Sequence, residues 1–151
     1  MNILRYFQVR VISGLLAVGA MMSGCAITEV VQPVADLNTE QVCIIEAPAV
    51  RPGFLTEYVR QLERKGYRVL ALKEGSAKNA CEVTSTYLAR WSWDLALYMS
   101  LAEINVYRYG RVVGSARYDS RKGGGRVFEK FIDAETKIEK IVGELFPDAA
   151  S

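Results

Sequence analysis

The chain has 151 residues, of which 19 are Lys or Arg, 17 are Asp or Glu and none is His. The formal net charge is therefore only +2, which provides no electrostatic footprint for nucleic acid. The absence of histidine removes the commonest general base and the commonest metal ligand. We therefore expect no nucleic-acid partner, no metal site and no cofactor.

The N-terminus has the pattern of a secretory signal. Arg5 and Arg10 are its only charged residues, the apolar run Val11–Met22 follows, and Ser23-Gly24 supply a small-residue cleavage site. The apolar run is shorter than the roughly 20 residues that a permanent membrane span needs. Removal of residues 1–24 as a signal peptide leaves 17 basic and 17 acidic residues, a neutral mature chain.

Cys25 directly follows this signal. Met22-Ser23-Gly24-Cys25 resembles the lipobox of bacterial lipoproteins, although that motif usually has leucine where this chain has Met22. The resemblance implies a diacylglycerol on the Cys25 thiol, cleavage just before it and acylation of the new amine. Several acyl chains would anchor the protein stably, because each buried CH₂ contributes about 0.8 kcal/mol. The alternative is a cleaved signal followed by an incidental cysteine.

The residue after the lipid-bearing cysteine bears on localisation. In lipoproteins generally, Asp at this position is associated with retention in the inner membrane, and this chain has Ala26. We therefore expect a lipid anchor in the outer membrane, with the protein facing the periplasm.

The remaining cysteines, Cys43 and Cys81, form an even pair in a chain that would fold in the oxidising periplasm. A disulfide between them would stabilise the fold by roughly 4 kcal/mol in the chain-entropy model. The alternative is two unpaired buried thiols.

The sequence divides into a lipidated cysteine and tether at residues 25–41 and a single globular domain at residues 42–151. Residues 42–47 are apolar and β-branched, typical of a strand. A helical apolar stripe then runs from Phe54 to Leu62 and ends before Gly66. Residues 67–73 predict a second strand, and the short links favour a parallel pair with a right-handed crossover.

The second half of the domain predicts an antiparallel meander and a final helix. Alternation begins near Val83, a turn is expected near Asp94, and Gly110 separates the second strand from the third. A last apolar helical stripe runs from Val127 to Phe146. The order β-α-β-β-β-β-α predicts an α+β two-layer sandwich, a mixed, mostly antiparallel sheet of about five strands with two helices on one face.

Four apolar residues around the expected turn leave two alternatives open: Leu95, Leu97, Met99 and Leu101. In the first alternative, these residues form an exposed apolar patch on the second sheet face, suited to a partner or a membrane. Alternatively, a bulge near residues 94–101 switches their parity and buries them.

A glycine-rich loop is the best local candidate for a ligand or partner contact. It consists of Arg121, Lys122, Gly123, Gly124, Gly125 and Arg126. The loop leads into a predicted helix N-terminus, where free N–H groups favour anions. It lacks the spacing of a nucleotide P-loop, and the alternative is an ordinary solvated connection.

Three long segments carry a resemblance to a known family: CEVTSTYLARWSWDLALYMSLAEINVY, GSARYDSRKGGG and KFIDAETKIEKIVGELFP. Across Val42 to Pro147 the chain resembles the Sbal-named family of small lipoproteins of Gram-negative bacteria. That family has no assigned biochemical function, so the resemblance supplies no catalytic residues. It agrees with a lipoprotein and implies nothing about activity.

The leading functional hypothesis is a non-enzymatic, lipid-anchored periplasmic domain that contacts an envelope protein partner through its sheet or the Gly123–Gly125 loop. The main alternative is a binder of a small anionic ligand or glycan at Arg121, Lys122 and Arg126. An enzyme is the third possibility, with Asp94 and Asp119 as the acids to test, but the sequence supplies no activated base.

Overall fold

A computed structural model of the chain describes residues 27–35, 37–121 and 131–149. The elements within these ranges are β1 Thr28–Gln32, β2 Gln41–Ile45, α1 Pro52–Arg64, β3 Arg68–Leu72, β4 Val83–Asp94, β5 Ala96–Arg108, β6 Arg111–Asp119 and α2 Ala134–Leu145. The six strands form one mixed sheet in the order β1-β6-β5-β4-β2-β3. The predicted α+β class is confirmed.

The first half of the domain is a β-α-β unit, as the sequence predicted. β2 and β3 pair in parallel along their whole length, and α1 connects them. Pro52 stands at the start of α1, where its missing N–H costs no hydrogen bond. Gly66 follows the helix with a φ of +91°, a conformation that glycine adopts without steric penalty.

The meander is also present. β4 pairs with β5 and β5 with β6, all antiparallel, while β2 joins β4 in parallel and so connects the two halves of the sheet. The β4–β5 turn is at Leu95, one residue from the predicted position, and Gly110 turns β5 into β6 with a φ of +81°.

The predicted tether at residues 25–41 is wrong from Thr28 onward. β1 pairs with β6 along five residues, which makes the sheet six-stranded rather than about five-stranded. Val34 and Leu37 are buried in the core, and the Val34 N–H donates to the carbonyl oxygen of Leu145 at 2.9 Å. A lone five-residue strand followed by Pro33 has too short a pattern to be distinguished from a linker.

The last helix begins later than predicted. α2 starts at Ala134, after Asp133, whose carboxylate accepts hydrogen bonds from both the backbone N–H and the hydroxyl of Thr136 at 2.7 Å. This N-cap fixes the start of the helix. The first predicted helix residues, Val127 and Phe128, lie outside the described residues, and Phe131 precedes the helix.

The core lies between the two helices and one sheet face. The Phe54 ring of α1 stacks on Tyr87 of β4 with centroids 5.2 Å apart. Four buried residues of α2 complete the core: Ile138, Ile141, Val142 and Leu145. Both helices therefore cover the same face, and the opposite face is called the outer face below.

The disulfide between Cys43 and Cys81 is confirmed. It joins the middle of β2 to the segment just before β4, on the end of the sheet from which β2, β3 and β4 begin. In the same segment the Lys78 ammonium lies 4.6 Å from the centre of the Tyr107 ring. This segment thereby covers part of the outer face, which explains why Cys43 is fully buried.

Candidate functional site

One end of the sheet brings together the start of β1, the end of β6 and the β4–β5 hairpin. The strand registers align Thr28 with Asp119, Asp119 with Leu101, and Leu101 with Arg90. Past this row, no other strand of the described residues borders β4 and β5, which continue as a two-stranded hairpin, residues 91–100, called the hairpin tip below. The chain before Thr28, which includes Cys25, joins the sheet at this same end.

The hairpin tip exposes three large apolar side chains. Trp93 is 73% exposed, Leu95 89% and Leu97 45%. Leu95 also has a φ of +62°, in the left-handed region that costs a residue with a Cβ roughly 1–2 kcal/mol. The tip therefore combines exposed apolar surface with an unfavourable backbone conformation at its turn.

A β-bulge divides the four apolar residues around the turn. Arg90 pairs with Leu101 and Trp91 with Met99, so Ser100 has no partner residue in β4. The Ser100 hydroxyl lies 2.8 Å from that of Ser92 and 3.3 Å from the carbonyl oxygen of Arg90. Met99 is 1% exposed and packs in the core, as the bulge hypothesis predicted. Leu101 is also buried, at 3% exposed, but it lies on the outer face, on the side of the bulge away from the tip, whereas Leu95 and Leu97 remain exposed.

The outer face is polar beside the tip. One row across it reads Leu88, Glu103, Arg117 and Val30. The Arg117 guanidinium donates to Glu103 at 3.0 Å and to Asp119 at 3.2 Å. This face therefore presents fixed ion pairs with scattered apolar side chains, and not the continuous apolar patch of the first alternative.

Arg121, the first residue of the predicted ligand loop, is engaged by Asp119. Its Nη2 and Nε donate to the Asp119 carboxylate at 2.7 and 2.9 Å, and its backbone N–H donates at 3.1 Å. The side-chain hydrogen bond from Arg121 is the main reason that the pKa of Asp119 is held well below its usual range. The rest of the predicted loop lies outside the described residues: Lys122, Gly123, Gly124, Gly125 and Arg126.

The two acids considered for catalysis lie at different levels of the sheet. Asp119 is aligned with Arg90 through Leu101, while Asp94 is four residues farther along β4. At about 3.3 Å per residue this separates them by about 13 Å along the strand. The strand register therefore does not bring the Asp94 and Asp119 carboxylates together as a pair.

A cavity of about 280 Å³ lies between β1 and α2 and was not predicted, because β1 was interpreted as a tether. Glu29 and Lys140 form an ion pair of 2.7 Å at its wall. The buried Tyr118 hydroxyl has no hydrogen-bond partner among the described residues, and the Lys137 ammonium lies 4.7 Å from the Tyr118 ring. The signal that could have revealed it is the apolar pair Val30-Val31 before Pro33.

A second cavity, of about 450 Å³, lies between the N-terminal ends of the two helices and the base of the hairpin tip. Its wall includes Trp91, Glu135 and Arg51, whose guanidinium lies 5.7 Å from the centre of the Trp91 ring. Both cavities adjoin the end of the sheet that carries the tip.

In the described part of the chain, no three Asp, Glu or Cys side chains come together as metal ligands. None of the helices within those residues is long and apolar enough to cross a membrane.

Two layers, a mixed sheet and two helices on one face define the class of fold, an α+β sandwich.

No protein-family model and no curated protein matches the chain. Its fold is similar to two solved structures of PelC from Paraburkholderia phytofirmans. A dodecamer of a leucine-to-methionine variant of PelC has a TM-score of 0.56 and 16% identity, covering 83% of this chain and 99% of that one. A second PelC dodecamer has a TM-score of 0.55 and 16% identity, covering 78% of this chain and 98% of that one.

Proposed function

We propose that this protein is a lipid-anchored protein of the cell envelope that acts as a non-enzymatic protein-interaction module. In this proposal the chain is cleaved before Cys25, acylated there and held in the outer membrane, facing the periplasm. The observation that carries the anchor is Met22-Ser23-Gly24-Cys25 at the end of a basic and then apolar N-terminus.

The start of β1 determines how such an anchor would hold the domain. Cys25 precedes Thr28 by three residues, which span at most about 11 Å when fully extended. A longer tether would let the domain move clear of the bilayer. With β1 in the sheet, the domain is instead held against the membrane.

The interaction role is supported by the outer face, which the helices leave uncovered. Its fixed ion pairs and scattered apolar side chains, Leu88 and Val30 among them, suit a polar protein interface. The two PelC structures of similar fold are dodecamers. We therefore propose that the partners of this chain include further copies of itself.

The intact mass of the protein extracted from membranes tests the anchor. We expect a mass that fits cleavage before Cys25 plus acyl chains, with a gain of about 2 Da on reduction as one disulfide opens to two thiols. The Cys25→Ala variant should lose the acyl mass and membrane association. A chain that retains Met1, or one released without lipid, would overturn the anchor.

Site-specific photocrosslinking in the native envelope tests the interaction surface. A photoreactive residue in place of Leu88, on the outer face, should give a crosslinked product that contains a second copy of the chain. The matched control is Lys73, which is also exposed but lies just past the end of β3. Equal crosslinking from both positions would overturn the assignment of the outer face.

The anionic-ligand hypothesis stays a prediction. Asp119 already binds Arg121, so the described part of that loop presents a closed ion pair.

A further inference from the structure

We propose that the hairpin tip is a second membrane contact, in which Trp93, Leu95 and Leu97 enter the boundary between the lipid headgroups and the acyl chains. The proposal rests on the acylation of Cys25 proposed above. It adds a contact made by side chains, at a site that the lipobox does not involve.

The strand registers place the tip where it can reach the bilayer. Thr28 and Arg90 lie in one row across four strands, about 14 Å apart at 4.8 Å per strand spacing. Cys25 lies within about 11 Å of Thr28. Leu95 is five residues beyond Arg90, about 16 Å along the hairpin. The tip therefore extends beyond this row of residues at least as far as Cys25 can.

The side chains of the tip are those that favour a membrane interface. Tryptophan is enriched at the headgroup level, where its ring is partly in apolar and partly in polar surroundings. Leu95 supplies apolar area at the turn itself, and Leu97 supplies more two residues after it. The left-handed conformation of Leu95 would be adopted at lower cost by glycine or asparagine, so a leucine there points to a use for its side chain.

Cationic residues stand at the base of the same hairpin. Arg90 is exposed in the last row before the tip, and Arg51 is exposed beside Trp91. With Trp93 at the interface, Arg90 would lie about 10 Å behind it, near the phosphates. Basic residues close to an anionic membrane surface contribute roughly 1 kcal/mol each to binding.

A protein partner fits the tip less well than the bilayer does. A stable protein interface buries roughly 1,200–2,000 Å² in total, more than three side chains on a narrow projection supply. A bilayer has no such minimum area, and the anchored end of the chain already holds the tip beside it. The membrane is therefore the occupant that these observations favour.

The test uses the full-length acylated protein, purified from membranes and reconstituted into vesicles of phosphatidylethanolamine and phosphatidylglycerol. The chain has two tryptophans, so the Trp91→Phe variant leaves Trp93 as the single reporter. We expect Trp93 emission to shift to shorter wavelength and to be quenched by lipids brominated near the headgroup. The matched control replaces both tryptophans by Phe and carries Tyr109→Trp, at the exposed turn on the opposite end of the sheet. Quenching should be several-fold stronger at Trp93 than at that control.

The intact mass of each sample separates the possible failures. Acylated protein whose Trp93 is quenched no more than the control overturns the tip contact and leaves the anchor standing. Trp93 emission that shifts with protein concentration but is insensitive to brominated lipid assigns the tip to a second copy, and also overturns the proposal. Protein without acyl mass overturns the anchor and, with it, this inference.

Discussion

The Tyr58 hydroxyl of α1 lies 2.7 Å from the Ser85 hydroxyl of β4, in the centre of the core. Ser85 donates its own hydrogen to the carbonyl oxygen of Asn105 at 3.2 Å, so Tyr58 is the donor in the first bond. A chain of two hydrogen bonds thus connects α1 to β4 and β5. Tyr58 and Ser85 are both fully buried and both hydroxyls have a hydrogen-bond partner, which fixes the depth at which the helix packs on the sheet.

Removal of the Tyr58 hydroxyl should destabilise the fold modestly. Tyr58→Phe keeps the ring but removes the donor, and a buried hydrogen bond contributes about 1 kcal/mol to the free energy of unfolding. Urea denaturation measures the change. In the Ser85→Ala background the same substitution should cost less, because the acceptor is already missing. Equal costs in both backgrounds would show that the two hydroxyls do not interact.

The free energy of unfolding should decrease as the pH rises into the alkaline range. Burial raises the pKa of Tyr58, and also the pKa values of Tyr67 and Tyr87, above the value of about 10 in the unfolded chain. The unfolded state therefore loses protons first, so stability is complete below pH 10 and decreases above it. The slope should reach about 1.4 kcal/mol per pH unit for each such group. Thermal melts from about pH 8 to about pH 11, a range that spans the tyrosine pKa of about 10, should show a shallower decrease for Tyr58→Phe than for the unchanged chain.

Loss of the disulfide should cost several kcal/mol. The Cys43–Cys81 bond closes a loop across 38 residues, worth about 4 kcal/mol in the chain-entropy model. Replacing both cysteines by alanine should lower the melting temperature by a similar amount to adding a reductant to the unchanged chain. The double variant should then be insensitive to that reductant. A melting temperature unchanged by either treatment would contradict this prediction.

Gly114 should tolerate no side chain. A Cβ at this position would lie 2.5 Å from the Cγ2 of Val34 and 3.1 Å from the carbonyl oxygen of Gln32. Gly114→Ala should therefore destabilise the fold by about 1–3 kcal/mol. Gly143 is the matched control, because a Cβ there meets no atom within 4 Å and lies within α2. Gly143→Ala should stabilise by about 0.5–1 kcal/mol, and a loss of stability at both sites would show that the close approach at Gly114 is not the cause.

Leu95→Asn should separate stability from membrane contact. Asparagine accepts the left-handed φ of +62° more readily than leucine and removes an 89% exposed apolar side chain. We expect a gain of about 0.5–1 kcal/mol in the free energy of unfolding and weaker quenching of Trp93 by brominated lipid. Leu88→Asn, also at an exposed leucine but within β4, should give no such gain. If Leu95→Asn destabilised the protein, the strain argument would fail.

Local patterns were enough to predict the β-α-β unit and the meander. The apolar spacing from Phe54 to Leu62 fixes the buried face of α1, and Gly66 and Gly110 mark the turns that they make. These features depend on neighbouring residues alone. The Cys43–Cys81 pairing was predicted from the even number of cysteines that remain after Cys25 and from the oxidising compartment that the N-terminus leads us to expect.

Other features depend on residues far apart in the sequence. β1 is a strand because β6 offers it a free edge, and five residues carry too little periodicity to show this. The bulge at Ser100 arises from the pairing of β4 with β5, so the sequence could state it as an alternative but could not place it. The start of α2 could have been predicted from the sequence, because Asp133 is an N-cap residue type and stands three residues before Thr136, from whose N–H it accepts a hydrogen bond.

The position of β1 also decides how the fold would resist force. The five residues of β1 pair antiparallel with Ser115–Asp119 of β6, and Thr28 is the end of β1 that is nearer to Cys25 in the sequence. A pull on Cys25, directed away from the sheet, therefore acts parallel to the strands and loads the β1–β6 hydrogen bonds together in shear. Bonds loaded in shear share the force, whereas bonds at a peeled edge break one after another. A protein held to a membrane by its first residues would keep its edge strand paired while a partner pulled on its sheet.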